Sequence, residues 1–438
     1  MSTIIEQPRY GCAISSQQTV LAIPGAHPIL HSGPGCSERV SYFNLTAGGT
    51  RGPGYTGGPH VSCTNSTQRE IVFGGIPKLK DTISGALKVI DADLFVVLTG
   101  CTSEIVGDDT VSAANDFARQ GYPVVGVETG GFKGNVFYGF REVVKSIINQ
   151  YVGDVTPKVR KGLVNVFSLV PYQNPFWQED LSEIKRLLIS LGLEVNILFG
   201  VGSKGVSEWK DIPNAEFNLL LSPWVGKEVV ELLKQKYGTP YIEFPFIPVG
   251  AESSGKFLRK VGEFAGVSEF EIEKVIAENE KVYYSYFNDL ENFIVTFNNE
   301  FAWEYFAVAD SNYALGVGSF LTNELGLIPK GIYITDDAKK TYQEKILEYF
   351  KQENEQFEEV VFFENDGGAV QRDIRSKQGE DRELILGSSW EKFLARETGK
   401  YYASLSLPLT QDFTLNTSYA GYSGGINLLK EITRDIFR

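Results

Sequence analysis

An α/β fold built on three parallel sheets is what this sequence predicts, on three observations. Short, almost wholly apolar runs alternate with segments whose apolar residues recur at helical spacing. That is the pattern of strands buried on both faces and joined by crossover helices. The rhythm restarts near residues 163 and 304, which marks out three units of similar size. Several apolar runs end in glycine-bearing turns, among them Thr99-Gly-Cys101.

In order, residues 19–31 read as a short helix or turn and then a strand, followed by the glycine-rich turn Ser32-Gly-Pro-Gly-Cys36 and a helix from about 37. Residues 46–60 form a Gly/Pro-rich loop without periodicity; loops of that length inside a domain are often functional. Ile71, Ile76, Leu79, Ile83 and Leu87 lie at helical spacing, broken by Gly74-Gly75. Residues 93–98 are a strand, 107–109 open a helix reaching about 120 with an aspartate as N-cap, and 123–127 are the next strand. The second unit gives strands at 163–169, 194–198, 217–221 and 240–244, with helices at 177–191 and 227–236. A helical segment, 268–299, leads to the third unit. There, strands are expected at 305–309, 331–335, 359–363 and 384–385, with helices at 313–325 and 340–352 and a last helix at 426–437. The charged, glycine-bearing stretch 365–382 reads as a solvated loop and exposed helix.

With 438 residues, 42% of them hydrophobic, the chain can bury several full cores without a stabilising disulfide or metal. Lys plus Arg number 41 against 55 for Asp plus Glu, a net charge of −14. That balance excludes non-specific nucleic-acid binding, which rests on phosphate neutralisation, and suits a partner carrying a basic patch. No apolar run is long enough to span a membrane, and the first residues lack a signal-peptide pattern. Four cysteines in so long a chain argue against a disulfide framework. A cytoplasmic protein with reduced thiols is the expectation.

Those cysteines, Cys12, Cys36, Cys63 and Cys101, all lie in the first quarter of the chain, and the three histidines, His27, His31 and His60, lie there too. Each cysteine sits beside glycine or small polar residues rather than in an apolar run, unlike an ordinary packing thiol. No two form a CxxC pair, so zinc-ribbon and ferredoxin patterns fail. Three of them fall at predicted strand ends or glycine turns, on what can be one sheet edge, where doubly wound sheets take ligands. Thiolates within reach of backbone amides suit an iron–sulfur cluster. Four unrelated cysteines fit the spacing equally well. His31 reads as a packing or hydrogen-bonded residue, and Asp108-Asp109 as a helix cap. Gly202-Ser-Lys-Gly205 belongs to no phosphate-binding motif, so no nucleotide site is expected.

The segments His31-Ser-Gly-Pro-Gly-Cys36, Ile71-Val-Phe-Gly-Gly75, Thr99-Gly-Cys101-Thr-Ser-Glu-Ile-Val-Gly-Asp-Asp109, Gly130-Gly-Phe-Lys-Gly134 and Asn416-Thr-Ser-Tyr-Ala-Gly-Tyr-Ser-Gly-Gly-Ile-Asn resemble the nitrogenase component 1 superfamily, in order and spacing, over nearly the whole chain. The resemblance implies three Rossmann-like parallel-sheet domains around a central cleft, here residues 1–160, 161–300 and 301–438. It implies that Cys12, Cys36 and Cys101 hold half of an iron–sulfur cluster, 8Fe-7S P-cluster-like or 4Fe-4S, shared at a subunit interface. Gly35 lets the backbone approach that group, with positive φ expected for the glycines of this turn. Cys63 falls where the β-type chain also has a cysteine; packing is its expected role, and a further cluster ligand is the alternative. Phe73 matches an aromatic at the surface where an ATP-dependent iron–sulfur reductase docks; a core phenylalanine is the alternative. The cysteine and histidine that hold the active-site cofactor in the α-type chain fall near Ser222 and Ala420, and a serine that supplements the cluster in some β-type chains falls near Gly131. The chain therefore resembles a β-type, electron-relaying subunit of an α2β2 assembly. A scaffold for cluster assembly is the second reading.

Overall fold

The computed structural model describes residues 5–49, 61–379 and 382–434. It contains three sheets whose strands all pair in parallel. The first holds β1 (Ala26–His31), β2 (Ser62–Cys63), β3 (Leu94–Thr99) and β4 (Val124–Val127), in the order β2-β1-β3-β4. The second holds β5 (Arg160–Phe167), β6 (Glu194–Asn196), β7 (Ala215–Leu221) and β8 (Tyr241–Phe244), in the order β6-β5-β7-β8. The third has five strands, β9 (Glu304–Ala309), β10 (Ile328–Ile334), β11 (Val361–Phe363), β12 (Glu383–Gly387) and β13 (Tyr401–Ser404), in the order β11-β10-β9-β12-β13.

The predicted α/β class with three parallel sheets is what the chain adopts. The central strands explain why it was predictable. All six residues of β3, Leu-Phe-Val-Val-Leu-Thr, are buried, because helices cover both faces of a parallel sheet. One apolar core runs without a break from Leu30 and Val96 through Val166 and Leu219 to Ile332 and Leu386. Smaller cores lie on the outer faces of the first and third sheets.

The ends of the chain cross between units. The Glu6 and Gln7 amides donate to Asp366 Oδ1 at 2.9 and 3.1 Å, and the buried Arg9 pairs with Glu391 beside the third sheet. The last helix, Gly421–Thr433, packs on helices Gly250–Phe264 and Glu269–Thr296. It starts five residues before the expected position, since Gly421 and Gly424-Gly425 lie inside the contact. The expected loop at 46–60 lies mostly outside the described residues; its first residues extend helix Gly35–Ala47.

Candidate metal centre

The thiols gather at the carboxyl edge of the first sheet. β1 ends at His31, and Cys36 sits in the first turn of helix Gly35–Ala47. β3 ends at Thr99, and Cys101 opens helix Cys101–Val106. Cys12 arrives on the N-terminal segment, paired antiparallel with Asn135 through Ala13 N to Gly134 O and Val136 N to Gly11 O, both 2.9 Å. Cys12 and Cys36 line an open cavity of about 550 Å³ together with Tyr10, Gly35 and Arg39. Cys101 is off that wall, but its sulfur and that of Cys12 meet at Gly131: a Cβ on Gly131 would lie 3.1 Å from both. The Gly131 amide donates to Cys101 Sγ at 3.1 Å.

Burial pushes the Cys36 thiol up; a hydrogen bond with Ser32 opposes this, and the charges of Cys12, Cys101 and Cys63 add to it. A bound polycation would reverse the penalty on ionising Cys36. Among the described residues no three His, Cys, Asp or Glu groups converge tightly enough for one metal ion. The side-chain-free Gly131 leaves the space between the Cys12 and Cys101 sulfurs unfilled.

Cys63 has backbone partners of its own. At the end of β2, its thiol lies 3.4 Å from Ser32 O, and its sulfur accepts the Asn65 amide at 3.4 Å. Gly35 opens the Cys36 helix with free space around it, and neither Gly33 nor Gly35 has the expected positive φ. The Pro34-led helical turn needs only right-handed backbone, so the expectation is corrected; the close approach to sulfur is made at Gly131.

His31 is buried, with Nε2 2.9 Å from Asp108 Oδ2 and Nδ1 3.2 Å from Thr64 Oγ1. Burial lowers its pKa despite the carboxylate. The two aspartates divide their work. Asp109 caps helix Thr110–Ala118 through Ser112 N, whereas Asp108 also accepts the Gly75 amide at 2.9 Å. A Cβ on Gly75 would stand 2.6 Å from His31 Cε1, and Gly74 has φ of +85°. The Ile71–Gly75 turn is thus clamped to the sheet edge. It presents Phe73, 84% exposed, which removes the core alternative. Helix Gln68–Phe73 packs against helix Cys101–Val106, whose Ile105 is also exposed, as is Phe132 next to Gly131.

Sequence reasoning missed Glu104. Its Oε1 accepts the Gly130 amide at 2.7 Å and the Thr99 hydroxyl, and Oε2 pairs with Lys133 at 2.9 Å. This carboxylate fastens the Gly131 turn over Cys101. The signal available was an acidic residue in a helix's first turn, which ordinarily indicates only dipole stabilisation.

Ser222 and Ala420 lie elsewhere, at the junction of the second and third sheets. The Ala420 amide donates to the buried Asp180 at 2.9 Å, and Asp180 also takes the Tyr313 and Ser418 hydroxyls. Burial raises Asp180 to about 6. Ser222 borders a cavity of only about 20 Å³ with Asp310 and Asp336. Burial, with the neighbouring Asp336, lifts Asp310 to about 7.

A family model described as nitrogenase component 1 type oxidoreductase matches residues 12–437. The chain is 22% identical to a subunit of the light-independent protochlorophyllide reductase of Halorhodospira halophila, over 91% of this chain and 72% of that protein. It is 22% identical to the nitrogenase vanadium-iron protein beta chain of Trichormus variabilis, over 87% and 82%. A solved structure of nitrogenase Cp1 at pH 6.5 superposes with a TM-score of 0.80 at 20% identity, covering 100% of this chain and 94% of the other.

Proposed function

The chain belongs to the nitrogenase component 1 type oxidoreductase family, and from that premise we propose that it is the β-type, electron-relaying subunit of a nitrogenase-like reductase. The observation that carries this reading is the convergence of Cys12 and Cys101 on the side-chain-free Gly131, with Cys36 across the same sheet edge. Cys12, Cys36 and Cys101 would hold an iron–sulfur cluster, 8Fe-7S P-cluster-like or 4Fe-4S, with Gly35 at its margin and the remaining ligands on a paired α-type chain. Such a cluster supplies one-electron storage and transfer when bound. The chain's own contribution is to fix three thiolates, to donate the Gly131 amide to Cys101 Sγ, and to keep Cys63 engaged with the Ser32 carbonyl. Amide donation to a cluster sulfur lowers its electron density and shifts the potential upward.

Phe73, on its clamped turn, is the docking contact for an ATP-dependent iron–sulfur reductase. The substrate-reducing site belongs to the α-type partner. No cysteine follows Cys101 and no histidine follows His60, and Ser222 faces a cavity too small for a metal cofactor. An α2β2 assembly in the cytoplasm follows from this reading; among the described residues no helix is long and apolar enough to cross a membrane.

The test is anaerobic co-purification with the α-type chain. Several irons per chain, visible absorption lost in Cys36→Ala, and reductase-dependent turnover are expected. Fewer than about two irons per chain sinks the cluster. Cluster transfer to another protein without turnover makes the chain an assembly scaffold.

A further inference from the structure

The small cavity beside Ser222 has a composition that the electron-relay reading does not use. It lies where β5, β7, β9 and β10 all end, at the carboxyl edges of two sheets, the side on which such sheets take ligands. Two of its lining groups have polar atoms that are buried without a hydrogen-bond partner among the described residues: Asp336 Oδ1 and Ser168 Oγ. Asp336 is 1% exposed. Its other oxygen is fully used, accepting Trp224 Nε1 at 2.8 Å and the Ser311 amide and hydroxyl at 3.0 and 2.5 Å. Asp310 lines the same space, accepting the Asn312 and Tyr313 amides at 3.0 and 3.2 Å. Neither carboxylate has a Lys or Arg partner among the described residues.

An unpaired buried carboxylate oxygen is costly unless a proton or a cation neutralises it, and burial raises Asp336 and Asp310 alike, Asp310 further through the Asp336 charge. The cavity measures about 20 Å³, above the ~10–15 Å³ that one water-sized occupant requires. We propose that it binds one monovalent metal cation of potassium type, held by Asp336 Oδ1, Ser168 Oγ and the Asp310 carboxylate, which ties the second sheet to the third. A divalent ion is disfavoured by the donors. No three anionic or imidazole groups converge among the described residues, and Mg²⁺ and Ca²⁺ sites demand more oxygen ligands in stricter array. A hydroxyl and two carboxylates can instead replace part of the hydration shell of a weakly hydrated ion.

The test uses rubidium as the probe, on the full chain with its partner subunit. Crystals grown with rubidium as the only monovalent metal should show an anomalous peak in contact with Asp336 Oδ1. Ordinary water density there, without anomalous signal, overturns the proposal. In solution, rubidium should raise the thermal midpoint over choline at equal ionic strength, by about 2 °C for each tenfold increase above half-saturation. Equal midpoints in the two salts overturn it. Ser168→Ala, nearly isosteric, should weaken the rubidium response about tenfold, and Asp336→Asn should abolish it. An undiminished response in both variants also overturns the assignment, whatever their own stability.

Discussion

Gly131 stands 3.1 Å from the Cys101 sulfur through its amide, and the Cβ it lacks would sit equally close to the sulfurs of Cys101 and Cys12. A side chain at this position therefore competes for the space between two thiols. Gly131→Ala is expected to weaken retention of the proposed cluster about tenfold or more, the scale of a lost supporting contact at a metal site. Iron and acid-labile sulfide per chain report this directly. In the metal-free chain the cost should be limited to the small displacement of the Cys12 and Cys101 side chains that a Cβ 3.1 Å away requires, because φ at Gly131 is not in the left-handed region.

Phe73→Ala separates the proposed docking role from folding. The ring is 84% exposed, so stability should stay within about 0.5 kcal/mol. Loss of an aromatic anchor should raise the reductase concentration giving half-maximal turnover by about tenfold. Reduction of the protein by a small chemical reductant should be unchanged. A drop in both measurements would place Phe73 in the internal electron path rather than at the docking surface.

How far the sequence showed this arrangement depends on how local each signal is. β3 was legible because a buried parallel strand is almost wholly apolar and ends in a glycine turn, whereas β1, with His27 and His31 buried in it, was marked mainly by the glycine turn that follows. Helix Gly250–Phe264 and strand β13 went unassigned. The helix carries Gly250, Gly255 and Gly262, with Ser253 and Ser254, so its propensity is poor. It forms because Gly250 and Gly262 allow close packing on Phe320, Gly425 and Ile272. The turns that carry Cys36 and Cys101 to the sheet edge could be placed from their glycines. That Asp108 would leave the cap to Asp109 and reach His31 and Gly75 is a tertiary fact with no local trace. The same holds for Glu104.

Asp108→Ala tests that clamp. It removes the acceptor shared by His31 Nε2 and the Gly75 amide, leaving buried donors unpaired at about 1–3 kcal/mol. Hydrogen exchange should rise in residues 71–76 ahead of the β3 strand. Asp109→Ala, which removes only a helix cap, should cost about 1 kcal/mol and leave exchange at 71–76 unchanged.

Arg9 and Glu391 give the pH prediction. The guanidinium donates to both carboxylate oxygens, at 2.8 and 2.5 Å, in a site where neither side chain is more than 2% exposed. Burial alone would raise Glu391, but the Arg9 charge and hydrogen bonds, with those of Ser388, bring its pKa below the ordinary glutamate value. A carboxyl with a depressed folded-state pKa binds fewer protons folded than unfolded. Its stabilisation is therefore present above the unfolded pKa, about 4.3, and is lost as pH falls through the lower folded value. Arg9→Ala leaves a buried, unpaired carboxylate and should cost about 3–5 kcal/mol near pH 7. That deficit should shrink on acidification below about pH 5, as Glu391 takes up a proton more readily without its partner. Denaturation of wild type and variant at pH 7 and pH 4.5 checks the sign: a deficit constant across that range would mean that Arg9 acts through its packing on Trp390, 5.0 Å away, rather than through charge.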